Sequence, residues 1–404
     1  NSNYNNVNGA TVQITVNKAT PVLTWTNPAA ITYGTALSAT QLNATANVSG
    51  GFSYLQPIST VLNAGINQTL SVNFTPTDNG NYNDVNGTTV LITVNKATPV
   101  ITWTNPSAIM YGTALSATQL NATASVSGTF TYLQSLGTIL NAGVNQILSV
   151  NFTPTDNSNY NSVNGTTVLI TVNKAVLTAT ANNHTKIYGD NNPAFTVSYS
   201  GFVGSDNVSS LTTAPQASTT ATTMSVVGSY TITLTGGLSV NYTITLVNGS
   251  LTINKAPLTA IADNKVKVYG DPNPVFSITY TGFKGGDDAS SLGSPITVSS
   301  TASEASGYGV YPITLTGGSS SNYTISLSPG TLTVDKAPLI ITAENKTKIY
   351  GSVNPGLSFT HSGFKGSDGP GSLSSQPLIL TTATTTSNAG LYSKSREIIL
   401  QYFD

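Results

Sequence analysis

Few side chains in this sequence could act as a catalyst. The 404 residues hold two histidines, His184 and His361, and no cysteine. Acid–base or nucleophilic catalysis needs a histidine, lysine or carboxylate placed against a second reactive group. His184 stands where two later, similar segments carry Lys265 and Lys346, and His361 stands where earlier segments carry tyrosine. We therefore expect no catalytic residue and no enzyme activity within this sequence.

Aspartates in glycine-rich turns are the candidate metal ligands, because Ca²⁺ takes several oxygen ligands from such turns. They are Asp190, Asp206, Asp271, Asp287, Asp288 and Asp368. No Asp-x-Asp-x-Asp spacing occurs, and aspartates in turns commonly bond their own backbone. We expect no metal site and no cofactor; a calcium site at these turns is the alternative.

Trp25, Trp103 and the tyrosine of a recurring Tyr-Gly pair are the candidate residues for stacking on a sugar. Each occurs at a fixed place among apolar neighbours. That placement is typical of a large core residue whose polar tip finds a hydrogen-bond partner. Core packing is the expectation, and a sugar-stacking platform is the alternative.

Residue types also bear on two covalent modifications. A Lys–Asn isopeptide bond needs a lysine, an asparagine and an acid in contact, and residues 97–174 hold only Lys174 and Asp156 for this chemistry. We do not expect such a bond. Asn-x-Ser/Thr triplets are frequent, as chance predicts in a chain so rich in Asn and Thr, and matter only where the host glycosylates them. Examples are Asn43, Asn121, Asn241 and Asn322.

Composition excludes several classes of partner and predicts the fold class. The chain has 14 Lys+Arg and 15 Asp+Glu, a net charge of −1. A nucleic-acid partner is not expected, because no basic face is available to neutralise phosphates. No apolar run is long enough to span a membrane. The abundance of Thr, Ser, Asn, Gly, Val and Tyr, which form strands and turns, predicts an all-β protein.

One six-residue segment divides the chain into repeats. Ile14–Ala19 recurs at 92–97, 170–175, 251–256 and 332–337, and its lysines lie 78 residues apart twice and then 81 residues apart twice. Its alternating apolar residues predict a closing strand, followed by a very short joint to the next repeat. The domains predicted are 1–19 (closing hairpin of a truncated module), 20–96, 97–174, 175–255, 256–336 and 337–404 (incomplete, with an out-of-pattern tail after residue 392).

Turn signals every 8–12 residues and about seven short strands per repeat predict a linear array of small antiparallel β-sandwiches. Asn-Gly at 86–87 and 164–165 predicts a type I′ hairpin turn, and Asn248-Gly249 predicts a turn into the closing strand. For the second kind of repeat, a β-grasp-like fold is the alternative. Its vestigial helix would be a single turn at residues 208–211.

Two sequence motifs resemble known repeats. Trp-Thr-Asn-Pro, followed by Tyr-Gly-Thr-Ala-Leu-Ser-Ala-Thr-Gln-Leu-Asn-Ala-Thr-Ala, makes residues 20–96 and 97–174 similar to Ig-like repeats of large bacterial surface proteins. Lys-Ile-Tyr-Gly-Asp-Asn-Asn-Pro-Ala-Phe at 186–195 resembles the MBG repeat of the Tyr-Gly type, as does 267–276. Ser352 replaces the motif's aspartate in the third copy, which weakens any claim that this aspartate has a role.

The resemblance implies extracellular adhesins and stalks. We expect a non-catalytic stalk or spacer of a bacterial cell-surface or secreted adhesin-like protein, in the form of an elongated monomer that belongs to a longer array. Two alternatives stay open: the modules bind a glycan or protein ligand themselves, or they are spacers attached to a secreted enzyme. Addition of the hairpin 1–18 to the incomplete module of a neighbouring molecule is conceivable, but the two repeat types differ.

Overall fold

The computed structural model describes Asn3, Gly9, residues 11–392 and the backbone of residues 394–397. The chain forms two compact units. One runs to Thr178 and also includes Tyr199–Ala214 and Gly236–Thr245. The other comprises Ala179–Ser198, Pro215–Thr235 and the chain from Leu246 onward. The repeat 175–255 therefore contributes residues to both units.

The two 78-residue repeats, both in the first unit, have the same six strands. In 20–96 these are β1 (Leu23–Thr24), β2 (Ile31–Thr32), β3 (Thr45–Ala46), β4 (Gly50–Tyr54), β5 (Gly65–Pro76) and β6 (Val85–Asn95). In 97–174 they are β7 (Ile101–Thr102), β8 (Ile109–Met110), β9 (Thr123–Ala124), β10 (Gly128–Tyr132), β11 (Gly143–Pro154) and β12 (Val163–Asn173).

Each of these repeats pairs one four-stranded sheet with a two-stranded one. The orders are β2-β6-β5-β4 with β1-β3, and β10-β11-β12-β8 with β7-β9. Alternate residues of the long strands face the core, as a period of two requires. In β5, Leu70, Val72 and Phe74 are at most 1 % exposed. The predicted all-β sandwich is therefore confirmed.

The Asn-Gly pairs of these repeats form bulges, so the predicted hairpin turns at 86–87 and 164–165 are wrong. Val85–Asn95 is one continuous strand, and its pairing with Gly65–Pro76 slips by a residue between Val72 and Phe74. Gly87 takes up the slip with a φ of +73°, and its N–H donates to Asn73 Oδ1 at 2.9 Å. A β-bulge needs the same left-handed glycine as a type I′ turn, so sequence cannot separate the two.

The 81-residue repeats carry the remaining strands. In 175–255 these are β13 (Ala175–Ala181), β14 (His184–Ile187), β15 (Val197–Ser200), β16 (Gln216–Thr219), β17 (Gly228–Thr235), β18 (Tyr242–Val247) and β19 (Gly249–Asn254). In 256–336 they are β20 (Ala256–Ala262), β21 (Lys265–Val268), β22 (Ile278–Thr281), β23 (Ser294–Ser300), β24 (Gly309–Ser319), β25 (Tyr323–Ser328) and β26 (Gly330–Asp335). In 337–397 they are β27 (Ile340–Ala343), β28 (Phe359–Ser362), β29 (Leu378–Thr381) and β30 (Lys394–Glu397).

Repeat 256–336 is a sandwich of the sheets β22-β20-β25 and β21-β26-β24-β23. Both sheets line one core: Ala260 and Ala262 come from the first, and Ile313, Leu332 and Val334 from the second. Among the described residues, each 81-residue repeat has one 3-10 turn, at Val208–Ser210, Ala289–Ser291 and Pro370–Ser372. The single turn predicted near residue 208 is present, but the two sheets around one core make this a sandwich rather than a β-grasp.

The closing strand of an 81-residue repeat does not fold back on the strand before it. β25 pairs with β20, whereas β26 pairs with β21 and β24 in the other sheet. Gly330 lies at the crossing, where a Cβ would overlap the carbonyl oxygen of Ala262. Gly249, at the corresponding place, opens β19, which pairs with β14 and β17. The turn predicted at Asn248-Gly249 is therefore a change of sheet.

Both ends of the described chain depart from the repeat pattern. The turn of the predicted hairpin 1–19 falls mainly on residues outside the described ones, and 11–18 form no strand; Ile14 and Val16 are 84 % and 87 % exposed. In repeat 20–96 the equivalent strand, β6, is paired with β5. At the other end, Lys394–Glu397 pairs with Leu378–Thr381. That is the register of β24 on β23 in the preceding repeat, so the out-of-pattern sequence still forms the expected strand.

Candidate functional site: the joint between repeats

In the repeats from residue 20 to residue 336, the Tyr-Gly pair lies beside the end of the repeat's closing strand. The Tyr111 N–H donates to the carbonyl of Asn173 at 2.8 Å, and the Tyr269 N–H donates to the carbonyl of Asp335 at 2.8 Å. The glycine that follows has a positive φ, +95° at Gly112, which glycine adopts without strain. The tyrosine is thus fixed next to the residues where the chain enters the following repeat.

In the first unit, Tyr111 of repeat 97–174 reaches an aspartate of the following repeat. Its hydroxyl donates to Asp206 Oδ2 at 2.9 Å, and the Tyr242 hydroxyl donates to the same oxygen at 2.6 Å. Tyr242 is 2 % exposed and also accepts the Val203 N–H at 2.8 Å. The two rings meet edge to face at 5.4 Å. One carboxylate oxygen therefore links two tyrosines that belong to different repeats.

The second unit contains the same constellation. Tyr188 donates to Asp287 Oδ2 at 3.0 Å and Tyr323 donates to it at 2.7 Å, with the rings 5.5 Å apart and edge to face. The Tyr269 hydroxyl repeats the first of these bonds, to Asp368 Oδ2 at 2.9 Å. We call this arrangement the tyrosine–aspartate joint.

An asparagine next to the second tyrosine adds a backbone contact to the joints at Asp206 and Asp287. Asn241 Oδ1 accepts the Ala142 N–H at 2.8 Å, and Asn322 Oδ1 accepts the Val227 N–H at 3.2 Å. Asn159 does the same between the two 78-residue repeats, where its Oδ1 accepts the N–H of Ala64 at 2.7 Å. Both kinds of repeat therefore share this contact.

The contact between the two 78-residue repeats lacks the aspartate. Tyr33 meets Tyr160 edge to face at 5.3 Å, the geometry of the other tyrosine pairs. The packing of the two rings is retained between Tyr33 and Tyr160, but the Tyr33 hydroxyl makes no hydrogen bond to a charged acceptor among the described residues. The aspartate is thus a feature of the joints that lead into an 81-residue repeat.

A partly exposed ion pair lies beside each joint of the second unit. Lys284 Nζ is 3.0 Å from Asp190 Oδ1, and Lys365 Nζ is 3.0 Å from Asp271 Oδ1. These carboxylates belong to the motif in which Ser352 replaces aspartate. Each of these aspartates pairs with a lysine of the next repeat, 94 positions away, which a comparison of the motif copies alone could not show.

Burial and charge at the joint change the acidity of its groups. Burial, and then the hydrogen bond to Asp206, raises the pKa of Tyr242 to about 12. Tyr323 behaves alike beside Asp287, with a pKa of about 12. The hydrogen bond from Tyr242 lowers the pKa of Asp206. The carboxylate therefore stays ionised and both tyrosines stay protonated over the neutral range, which is the combination that makes strong hydrogen bonds.

In repeats 175–255 and 256–336 a buried lysine holds the Tyr-Gly turn in place from within the repeat. Lys186 is 7 % exposed, and its Nζ donates to the carbonyls of Asp190 at 3.0 Å and Thr222 at 2.7 Å. Lys267 makes the corresponding bonds to Asp271 at 3.1 Å and Ser303 at 2.6 Å. Burial lowers the pKa of Lys186. These bonds fix the backbone of the turn that carries the tyrosine, so the tyrosine side chain is held in position for its contact with the next repeat.

The two histidines lie in separate, mainly aromatic surroundings. The His184 ring meets Phe195 edge to face at 5.7 Å, and its Nε2 is 3.4 Å from the Thr196 hydroxyl. The His361 ring packs edge to face on Phe364 at 5.1 Å, and its buried Nε2 has no hydrogen-bond partner among the described residues. Among the described residues, neither ring is hydrogen-bonded to a carboxylate that would orient it as a general base, and the hydroxyl nearest to a ring nitrogen is that of Thr196, at 3.4 Å from His184.

The remaining candidates have structural partners. Trp25 and Trp103 pack against the cores of their repeats, and their indoles donate to the carbonyls of Gln41 at 3.0 Å and Gln119 at 3.1 Å. Lys174 donates to the carbonyl of Ser239 at 2.7 Å. Asp156 bonds Asn159, so the isopeptide candidates Lys174 and Asp156 have different partners. Among the candidate glycan acceptors, Asn241 and Asn322 have side chains that hydrogen-bond across the joints.

The aspartates do not gather around a metal. Within the part of the chain that the structure describes, no three His, Cys, Asp or Glu side chains converge to hold an ion. Asp206, Asp287 and Asp368 accept from tyrosines, and Asp288 caps a 3-10 turn by accepting the Ser290 N–H at 2.8 Å. No described helix is long and apolar enough to cross a membrane.

Sequence reasoning missed the joint. It placed the Tyr-Gly tyrosines in the cores of their own repeats, whereas their hydroxyls bond the following repeat. A signal was available: in both complete 81-residue repeats a tyrosine (Tyr242 or Tyr323) and an aspartate (Asp206 or Asp287) stand 36 positions apart. A constant spacing of two polar groups marks a contact, but it does not say which third residue joins them.

Fold and joint together define a chain of tandem β-sandwich repeats. The sequence pattern of the MBG domain (YGX type) matches residues 177–252, 258–333 and 339–398, together more than half of the chain. The protein therefore belongs to the MBG domain family of the YGX type.

Solved structures give only distant likenesses. Sidekick-1 immunoglobulin domains 1–4 are 10 % identical, with a TM-score of 0.21 over 78 % of this chain and 98 % of that one. Drosophila N-cadherin EC1–4 is 11 % identical, with a TM-score of 0.19 over 79 % and 100 %. The Bacillus anthracis TIE protein is 8 % identical, with a TM-score of 0.22 over 78 % and 74 %. Among curated proteins, none matches this sequence.

Proposed function

We propose that these repeats are a non-catalytic spacer of a bacterial cell-surface or secreted adhesin-like protein, with Ig-like repeats at 20–96 and 97–174 ahead of the MBG repeats. The observation that carries the proposal is the recurrence of the tyrosine–aspartate joint. A spacer needs each repeat to be held firmly against the next one. A linker of two or three residues sets only the distance, whereas the Tyr-Asp-Tyr contact also fixes the orientation.

The placement of the polar side chains supports the same function. The carboxylates of the 81-residue repeats that could have served catalysis or metal binding are used to hold repeats together or to cap turns. Joint asparagines, the Tyr-Gly turn and the buried lysine all act on the same junction. This distribution suits a chain that serves as a structural spacer. The absence of cysteine also suits an oxidising extracellular setting, because it avoids mispaired disulfides.

Because the chain has no cysteine, spin labels can be placed at chosen sites to test the rigidity of a joint. We would label Ile147→Cys and Val208→Cys, which are 60 % and 47 % exposed and lie on the two sides of the joint at Asp206. The spacer function predicts a narrow distance distribution by electron–electron double resonance, which broadens when Asp206→Ala is added. Matched labels at Thr129→Cys and Ile147→Cys lie within one repeat and should give the same distribution with or without Asp206→Ala.

A broad distribution in the unmodified joint would contradict the proposal. So would saturable binding of the whole chain to a glycan array, because that result would make the repeats binding modules. The labels and the array test different properties of the same 404-residue chain. Rigid joints without glycan binding are the expected outcome of both.

A further inference from the structure

The first and last strands of repeat 256–336 run side by side in the same direction. In one sheet, β20 lies parallel to β25 over six consecutive residues, beginning with Ala256 opposite Tyr323. In the other sheet, β21 lies parallel to β26 over four residues, ending with Val268 opposite Asp335. Parallel ladders therefore join the beginning of the repeat to its end.

Both pairs of strands change sheet at the same place. Gly330, between β25 and β26, approaches Ala262 so closely that a Cβ would overlap the Ala262 carbonyl oxygen. Just beyond this crossing, Asn264 Oδ1 accepts the Thr331 N–H at 2.8 Å and the Thr331 hydroxyl at 3.1 Å. The last two strands thus follow the first two from one end of the repeat to the other.

This layout sets the direction in which tension acts on the strands. The chain enters the repeat at Ala256, where β20 begins, and leaves it after Asp335, where β26 ends. Tension on these two ends pulls β20 and β21 one way and pulls β25 and β26 the opposite way. Because the strands are loaded along their length, the hydrogen bonds of both parallel ladders share the force and must break together.

The buried side chains also oppose sliding of the strands. Leu258 and Ala260 of β20 and Leu332 and Val334 of β26 are fully buried. Successive residues of a strand face opposite sides, so a slip of one residue would turn apolar side chains out of the core and polar ones into it. Ladder hydrogen bonds and core packing therefore both resist the motion that tension produces.

Repeat 175–255 has the same parts in its larger sheet. There β14 lies parallel to β19 over four residues, beginning with His184 opposite Leu251. Asn183 Oδ1 accepts the Ser250 N–H at 2.8 Å, the bond that the asparagine at the crossing makes in the following repeat. The arrangement is therefore a property of the 81-residue repeat type.

We propose that the 81-residue repeats bear tension and that their parallel ladders are the part that resists the load. The proposal rests on the spacer function, because a spacer carries any force that acts between the segments it joins. Resistance of this kind is kinetic, since forced unfolding is governed by the unfolding rate rather than by the free energy of unfolding.

The 78-residue repeats have shorter parallel ladders. In repeat 97–174, β8 lies parallel to β12 over two residues, Ile109 and Met110, and a single parallel bridge joins Ala97 to Tyr160. Between these two points, β7 pairs with β9 instead. Fewer hydrogen bonds share the load, so we expect this repeat to unfold at a lower force.

The test pulls on single repeats within the whole chain, which has no cysteine of its own. Cysteines introduced at two exposed positions take the handles of an optical trap, so that tension acts on the chain between them. Asn254→Cys with Pro338→Cys pulls on the two ends of repeat 256–336 and slides the ladders. Asn254→Cys with Ser321→Cys pulls at the starts of β20 and β25, which lie opposite each other, and opens their ladder one residue at a time.

The first pair of handles should require a force at least about twofold higher than the second, because it loads the whole ladder at once. Matched handles at Asn95→Cys and Val176→Cys, on repeat 97–174, should also give a lower force than the first pair. Equal forces for the two geometries of repeat 256–336, or a force for repeat 97–174 at least as high, would overturn the proposal. The spin-label distances test the spacer function separately: narrow distances together with equal forces would overturn load bearing and leave the spacer function standing.

Discussion

Replacing Tyr111 with phenylalanine removes one oxygen atom from the tyrosine–aspartate joint of the first unit. The ring that packs on Tyr242 at 5.4 Å is retained. The hydrogen bond to Asp206 Oδ2 at 2.9 Å is lost, together with the lesser interaction of the hydroxyl with the Asn241 side chain. The substitution therefore tests whether the charged hydrogen bond stabilises one repeat against the next.

The expected cost follows from the type of acceptor. A hydrogen bond to a charged group contributes roughly 1.5–3 kcal/mol to folding. Asp206 keeps its shorter bond to Tyr242 at 2.6 Å, so the carboxylate is not left without a partner. The lower end of the range applies, and we expect repeat 97–174 to lose about 1.5 kcal/mol of unfolding free energy. At a urea dependence of about 1 kcal/mol per molar, the midpoint falls by about 1.5 M.

Two tryptophans make the assay specific to single repeats. Trp25 and Trp103 lie in the two 78-residue repeats, and each indole N–H donates to a backbone carbonyl. In a urea titration followed by NMR of the indole groups, the Trp103 signal reports repeat 97–174 and the Trp25 signal reports repeat 20–96. Tyr33→Phe is the matched control: its ring packs on Tyr160 in the same way without the aspartate, so we expect a change below about 0.5 kcal/mol.

The double variant Tyr111→Phe with Asp206→Ala identifies the interaction. If the hydrogen bond is responsible, the loss from Tyr111→Phe should largely disappear once Asp206 is already alanine. Equal shifts for Tyr111→Phe and Tyr33→Phe would refute the reasoning. So would an unchanged effect of Tyr111→Phe in the Asp206→Ala background, because the hydroxyl would then act through something else.

Three further predictions concern pH, the crossing between sheets and the ion pairs. The pKa of Tyr242 rises from about 10 to about 12 on folding, so its contribution to stability is complete below pH 10 and is lost as the pH rises to 12. The pKa of Asp206 is lowered on folding, so its contribution is present above about pH 3.8 and is lost as the pH falls. Urea midpoints measured across the pH range should therefore decline at both ends. Gly330→Ala should destabilise repeat 256–336 by at least about 2 kcal/mol in hydrogen exchange, because the new Cβ overlaps the Ala262 carbonyl oxygen; no loss of protection would contradict this. Lys284→Met should cost less than about 1 kcal/mol in the same measurement, because its ion pair is about one-third exposed, and a larger loss would show that the pair is stronger than its exposure allows.

Local pattern alone predicted the strand class and the repeat lengths. Alternating residues such as Leu70 and Val72 must face one side of a strand, whatever the strand pairs with. Spacing of the recurring lysines likewise showed two kinds of repeat. These features depend on neighbours in sequence, so they can be deduced without a structure.

The sequence also indicated that Gly87 and Gly249 take backbone conformations or close contacts that only glycine allows. It did not indicate whether each glycine serves a turn, a bulge or a change of sheet. A left-handed glycine serves a turn or a bulge equally well, and the choice depends on which strand lies opposite. A strand that changes sheet looks the same in sequence as one that turns back. Both decisions depend on pairing partners that are distant along the chain.

The tyrosine–aspartate joint was decided entirely by tertiary structure. In the sequence, Tyr188 is an aromatic residue that recurs at the same place in each repeat among apolar neighbours. That pattern fits a core residue and a joint residue equally well. Its partner Asp287 lies 99 positions away in another repeat. No periodicity connects two groups that meet only after two separate sandwiches have folded, because the contact depends on how the repeats are oriented at the junction.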